Sequence, residues 1–121
     1  MKWENLKNRT KRFAIAIIQM ARGLPPEYAL RTIIYQIIKS ASSVGAYYRA
    51  ACRSKSPKDF LNKLKIVEEE LDETQYWLEI LEELEITKKE QLSLLRQESN
   101  ELISIVVQSI KTVRNKLIST S

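Results

Sequence analysis

The chain has no histidine and one cysteine, Cys52, in 121 residues. Without imidazole, most zinc sites, Ser-His and Cys-His nucleophile pairs and imidazole acid–base chemistry are excluded. One thiol cannot close an internal disulfide, which is consistent with a reducing compartment. Two glycines and three prolines leave few turn signals, so the elements must be few and long. There is no Gly-rich phosphate loop. No apolar run approaches the roughly 20 residues of a membrane helix; the longest near-continuous one covers only residues 13–18. The opening MKWENLKNRT lacks the apolar core of a secretory signal, so the expected compartment is the cytoplasm, with no membrane partner. The acidic run EEELDET could suggest a di-metal carboxylate bundle, but such sites pair Glu-x-x-His motifs with glutamates from other helices. With no histidine and no inward glutamate evident on the first two helices, a non-enzymatic chain without metal or cofactor is expected.

What is present is helical periodicity, with 44% hydrophobic and 29% charged residues. The length suits a single domain over residues 1–121. A first helix should run from about Glu4 to Arg22, with Leu6, Phe13, Ile17 and Met20 on one stripe and Gly23 as a left-handed cap. Pro25-Pro26 then makes a loop. The second helix should run from Glu27 or Tyr28 to about Arg53, burying Leu30, Ile33, Ile34, Ile37, Ala41, Val44, Tyr48 and Cys52. Ala41 and Gly45, four apart, would let a neighbouring helix come close. Ser56, Pro57 and Asp59 form a variant capping box that opens the third helix. Its core face carries Phe60, Leu64, Val67, Leu71, Thr74, Leu78 and Leu81, and Thr74 should bond back to a carbonyl of its own helix. Thr87 with Glu90 is a second box, opening a fourth helix whose core face is Leu92, Leu95, Leu102, Ile103, Val106, Ile110, Val113 and Leu117. The short connections predict an all-α, antiparallel up-down-up-down four-helix bundle.

A bundle core uses about three positions in seven per helix, and this chain offers more. Ile15 and Ile18 project away from the first helix's stripe, Ile66, Trp77, Ile80 and Leu84 form a second stripe on the third helix, and Leu94 and Ile105 do the same on the fourth. Apolar stripes rather than scattered residues predict an oligomer interface, with Ile15, Ile18, Ile66, Trp77, Ile80 and Leu84 as its members and the tryptophan as anchor.

The net charge of +5 is unevenly spread. Residues 1–55 carry eleven basic and two acidic side chains, a net +9; residues 56–98 carry six and twelve, a net −6; the remainder adds +2. Arg31, Tyr35, Lys39, Ser42, Arg49 and Arg53 share one arc of the second helix, opposite its buried stripe. Lys7, Lys11 and Arg22 share another on the first. With Arg12, these basic positions and Tyr35 are the candidate nucleic-acid-binding residues, an electrostatic footprint for RNA or DNA that positions phosphates without reading sequence. One competing expectation is that the basic helices simply pair with the third helix, which carries Glu68, Glu69, Glu70, Asp72 and Glu73, inside the bundle or across subunits. The other is a protein–protein module whose surplus apolar stripes and acidic third helix engage another protein without nucleic acid.

The stretch Ser40–Leu81, SASSVGAYYRAACRSKSPKDFLNKLKIVEEELDETQYWLEIL, carries S-x-G-x-x-Y-R-x-A, D-F-x-x-K-L-x-I-V and D-E-T-x-Y-W-L in order over about a third of the chain. It resembles the bacterial four-helix-bundle proteins encoded in intervening sequences of 23S ribosomal RNA genes, a family related to the accessory variability determinant proteins of diversity-generating retroelements. The resemblance implies a homopentameric ring, and a positively charged surface that engages nucleic acid and a reverse transcriptase or another protein. Where many members have Asn-Tyr-x-Glu-Ala, this chain has Tyr47-Tyr48-Arg49-Ala50-Ala51, which removes an amide and a carboxylate and makes the second helix more basic.

Overall fold

Pro25 and Pro26 supply no amide hydrogens and block helix continuation, and around such punctuation the chain divides into four helices. The computed structural model describes the backbone of residues 2–119 and the side chains of residues 6–119. The Lys2 and Glu4 side chains, counted in the charge balance above, lie outside them. The elements are α1 (Lys2–Arg22), a 3-10 turn (Tyr28–Leu30), α2 (Arg31–Cys52), α3 (Pro57–Leu84) and α4 (Lys89–Ser119), with no strand among the described residues. α2 packs against α1 and α3, α4 packs against α3 and more sparsely against α1, and α1 and α3 do not meet.

One core joins all four helices. It holds Leu6, Phe13, Ile17 and Met20 of α1, Ile37, Ala41, Val44 and Tyr48 of α2, Leu64, Val67, Leu71, Leu78 and Leu81 of α3, and Leu92, Leu95, Leu102, Val106 and Ile110 of α4. Each large side chain so buried is worth about 1.5–3 kcal/mol before chain entropy is set against it. The expected faces are therefore nearly the observed ones, but Ile33 and Ile34 of α2 are only half-buried, and further differences occur on all but α1. Leu61 is buried in place of Phe60, which is half-buried, and Ala51 in place of Cys52, which is exposed. Both differences occur in the terminal turn of a helix at the α2–α3 turn, where a residue one position away from the stripe meets the core. On α4, Ile103, Val113 and Leu117 are only half-buried, and Ser99 and Ser109 sit inside.

The caps differ from expectation in instructive ways. The Ser56 hydroxyl accepts from the Asp59 backbone amide at 3.0 Å, with Pro57 in the first helical turn. The Asp59 carboxylate, however, pairs with Lys63 at 2.7 Å. Gly23 ends α1 with its amide on the Met20 carbonyl at 3.0 Å and a negative φ, while the left-handed cap belongs to Glu85 (φ 54°) after α3. α2 is entered through the 3-10 turn rather than by direct helix initiation at Glu27 or Tyr28. α4 starts at Lys89, two residues after Thr87, so Thr87 does not stand directly before the first helical residue as the expected box required.

Three buried hydroxyls, those of Thr10, Ser40 and Thr74, are tied locally, while the Ser99 hydroxyl and the Gln75 side-chain oxygen are buried without a partner among the described residues. The Thr74 and Ser40 hydroxyls lie 2.8 Å apart across α2 and α3; the Glu70 carbonyl is 2.8 Å from Thr74 and the Ile37 carbonyl 3.3 Å from Ser40. Thr74 thus makes the expected bond to its own helix and also links to α2. Thr10, fully buried on α1, donates to the Leu6 carbonyl at 2.6 Å.

Gly45 lies where α1 and α2 come closest. A Cβ there would sit 3.5 Å from the Thr10 carbonyl carbon and oxygen and 3.6 Å from the Lys11 nitrogen, in ordinary contact. Alanine therefore fits, and a larger side chain must either push on the α1 backbone or fill the crease beside it. Gly45→Ala should raise stability by about 0.5–1 kcal/mol through helix propensity. Gly45→Leu should lower it by about 1–3 kcal/mol through overpacking. Urea midpoints at unchanged slope would show both.

Candidate nucleic-acid interface

The close approach at Gly45 leaves a crease along the outer edge of the α1–α2 contact. Ala14, Ser42, Gly45 and Ala46 are small, so they floor a groove of about 450 Å³, also lined by Asn8. Four cations border it: Lys7 and Lys11 from successive turns of α1, Arg49 and Arg53 from successive turns of α2. No carboxylate lines it, and none of the four has an ion-pair partner among the described residues. The Thr10 hydroxyl beneath is turned to its own helix, so the polar side chains of the lining besides the cations are Asn8 and Ser42. The groove therefore concentrates positive charge in a concave surface, an arrangement suited to anionic oxygens.

The other predicted binding residues divide around this groove. At 100° per residue, Arg31, Tyr35, Arg49 and Arg53 fall within about 40° of one another on α2. Arg22 shares the arc of Lys7 and Lys11 on α1. Tyr35 is 63% exposed, and the Arg31 guanidinium lies 5.3 Å from the Tyr28 ring centroid. Tyr28 itself, 83% exposed, was not singled out by sequence reasoning; its spacing of three from Arg31 was the available signal. Lys39 leans from the arc toward α3, where its charge opposes the rise in the Glu70 carboxyl pKa that burial and the neighbouring Glu73 and Glu69 cause. Arg12 is exposed but turned well away from the groove arc.

Arg9 was also missed. Its guanidinium donates to both carboxylate oxygens of Glu98, at 2.6 and 3.1 Å, and Glu101 lies 3.5 Å away. The hydrogen bond to Glu98 holds the Arg9 pKa above its usual value despite partial burial. Arg9 thus tethers α1 to α4 and is withdrawn from the cationic surface.

The predicted oligomer interface splits into two faces. Ile66, Trp77 and Ile80 are half-buried and Leu84 is 47% exposed along α3. Trp77 packs on the core, stacks edge-on against Tyr76 at 5.0 Å and donates its indole N–H to Glu73 at 3.3 Å. Ile15, 44% exposed, and half-buried Ile18 lie instead on the α1 arc of Lys7, Lys11 and Arg22. The backbones of α1 and α3 do not approach each other, so these isoleucines and Trp77 lie on separate helix faces. The additional stripe assigned to α4 also divides: Leu94 is exposed, while Ile105 packs against the core.

A second hollow, of about 720 Å³, lies where Tyr48, Cys52 and Phe60 meet Lys7, Thr112, Val113 and Lys116. Tyr48 is 1% exposed; burial, and secondarily the Cys52 thiol, pushes its phenol well above the ordinary value of 10. It remains neutral at physiological pH. Among the described residues no cluster of histidine, cysteine or carboxylate side chains is placed to hold a metal ion, and no helix is long and apolar enough to cross a membrane.

Comparison with known proteins bears on this geometry. A crystal structure of a protein of unknown function from the S23 ribosomal protein family of Bacteroides thetaiotaomicron matches with a TM-score of 0.82 and 34% sequence identity, over 88% of this chain and 98% of that one. No curated protein matches. The family model for 23S rRNA-intervening sequence proteins matches residues 5–108. With four helices around one core and agreement over most of its length, the chain belongs to the 23S rRNA-intervening sequence protein family.

Proposed function

We propose that this protein is a non-enzymatic, self-assembling scaffold that binds nucleic acid through the α1–α2 groove. The supporting observation is the convergence of Lys7, Lys11, Arg49 and Arg53 on one concavity without a lining carboxylate. The acids of α3 do not neutralise them. The ion pairs among the described residues join Arg9 to Glu98 and Glu101, Lys63 to Asp59 and Arg96 to Glu82. Phosphate is the ligand such a surface suits, and contacts of this kind carry no sequence preference. The helices run up-down-up-down in this reading: Thr10 faces Gly45, Ser40 reaches Thr74 and Glu82 reaches Arg96.

Four phosphate contacts give a slope of log affinity against log salt of about −3 for a single strand and about −4 for a duplex. Fluorescence anisotropy with RNA and DNA at several salt concentrations should show it. The pair Lys11→Glu and Arg49→Glu should lower affinity at least tenfold and roughly halve the slope, with helicity unchanged because both positions are exposed. Absence of binding at low salt would rule the reading out.

The α3 stripe supports a second role, self-association, and the pentameric ring implied by the resemblance is the assembly we favour. Leu84 and Tyr76 stay exposed beside half-buried Ile80 and Trp77. Glu70 and Glu73 interleave with the stripe, so this face is unsuited to a polyanion. The substitutions Trp77→Glu and Ile80→Glu together should yield a helical monomer in sedimentation velocity; a persistent oligomer would place the interface elsewhere. Should nucleic acid fail to bind, this stripe would leave a protein–protein module as the function.

A further inference from the structure

The groove occupies only one end of a longer stripe, and the rest of that stripe differs in chemistry. Along α2 it continues from Arg53 and Arg49 through Ser42 and Ile38 to Tyr35 and Arg31, and then to Tyr28 in the 3-10 turn. Along α1 it continues from Lys7 and Lys11 through Ile15 and Ile18 to Arg22. Two cationic ends thus bracket a middle that carries an exposed aromatic ring and aliphatic side chains. Tyr35 is 63% and Tyr28 83% exposed, and among the described residues the Arg31 guanidinium on Tyr28 is the one ring contact of either. From Arg31 to Arg53, the residue that follows the end of α2, the stripe is about 33 Å long at 1.5 Å per residue step.

From this arrangement we infer that the ligand of the α1–α2 face is single-stranded nucleic acid, its phosphates held by the cations at both ends and its bases stacked on Tyr35 and Tyr28. The inference rests on the proposed nucleic-acid reading and narrows it to one substrate class. A duplex hides the faces of its bases and is a stiff rod, with a persistence length of about 50 nm. It would meet only the rims of the crease and leave the tyrosines unused. A single strand is flexible enough to follow the channel, and every base has a face that a tyrosine ring accepts, so binding tolerates any sequence. The 6 Å rise between Lys7 and Lys11, and between Arg49 and Arg53, is about one helical turn per pair. Each pair can therefore grip neighbouring phosphates of one strand. At about 3.4 Å per stacked nucleotide, the stripe accommodates on the order of ten.

The test is a competition measurement on the intact oligomer with four probes: a labelled 12-nucleotide strand of mixed sequence, the same strand annealed in a duplex, an abasic strand of equal length, and shorter strands. The single strand should bind at least tenfold more tightly than either the duplex or the abasic strand, and affinity should stop rising near ten nucleotides. Tyr35→Ala should weaken single-strand binding about tenfold and leave the abasic strand unaffected, an outcome that loss of fold would not produce. Duplex binding as tight as single-strand binding, or Tyr35→Ala without effect, would overturn the single-strand assignment and leave the groove reading in place. Failure of every probe at low salt would overturn both.

Discussion

The rest of the candidate surface depends on the close approach of α1 and α2 at Gly45. An added methyl group there would already be in contact with the Thr10 backbone, so the two helices lie side by side with little between them. Two consequences follow from that spacing. Inward, Ile17, Ile37, Ala41 and Val44 close into the core with no measurable exposure. Outward, the long side chains on the flanking arcs have no small-residue wall to lie against, so Lys7, Lys11, Arg49 and Arg53 stand over a shallow floor as a cluster of like charge. Bringing like charges together opposes folding, and the well-packed interface beneath offsets that cost.

Charge neutralisation elsewhere sharpens the contrast. Arg9, Lys63 and Arg96 each face a carboxylate, and Lys39 acts on Glu70. Partly exposed ion pairs of this type, still screened by solvent, contribute on the order of 1 kcal/mol or less, so they define the surface potential more than they stabilise the fold. The α3 side is left acidic and apolar, with Glu70 and Glu73 among Ile66, Trp77 and Ile80. The α1–α2 side is left basic and aromatic. The two surfaces are carried by different helices, whose backbones stay apart. Self-association and polyanion binding are therefore compatible on one protomer.

The helices and their buried stripes were legible in the sequence because period 3.6 is a repeated signal, sampled by every turn. Pro25-Pro26 and the Ser56-Pro57-x-Asp59 cap were legible because their chemistry is local. The left-handed cap at Glu85 was not, since the glycine that would mark it is absent, and Gly23, which could have adopted it, keeps a negative φ. Cys52 and Phe60 were misplaced by one position at helix ends, where the stripe runs out and a small rotation decides which side chain turns inward. The basic arcs were visible on each helix alone. That they join across α1 and α2 into one groove, that Arg9 is diverted to Glu98, and that Ile15 and Ile18 lie beside the cations rather than beside Trp77 are properties of packing between helices. No single-helix pattern contains them.

The most direct measurement is lysine footprinting by mass spectrometry, in which the protein is acetylated with and without a saturating oligonucleotide at low salt. The groove account predicts strong protection of Lys7 and Lys11, while Lys58, Lys65 and Lys89, all exposed on α3 and α4, continue to react. Protection of the α3 and α4 lysines with Lys7 and Lys11 still reactive would contradict it.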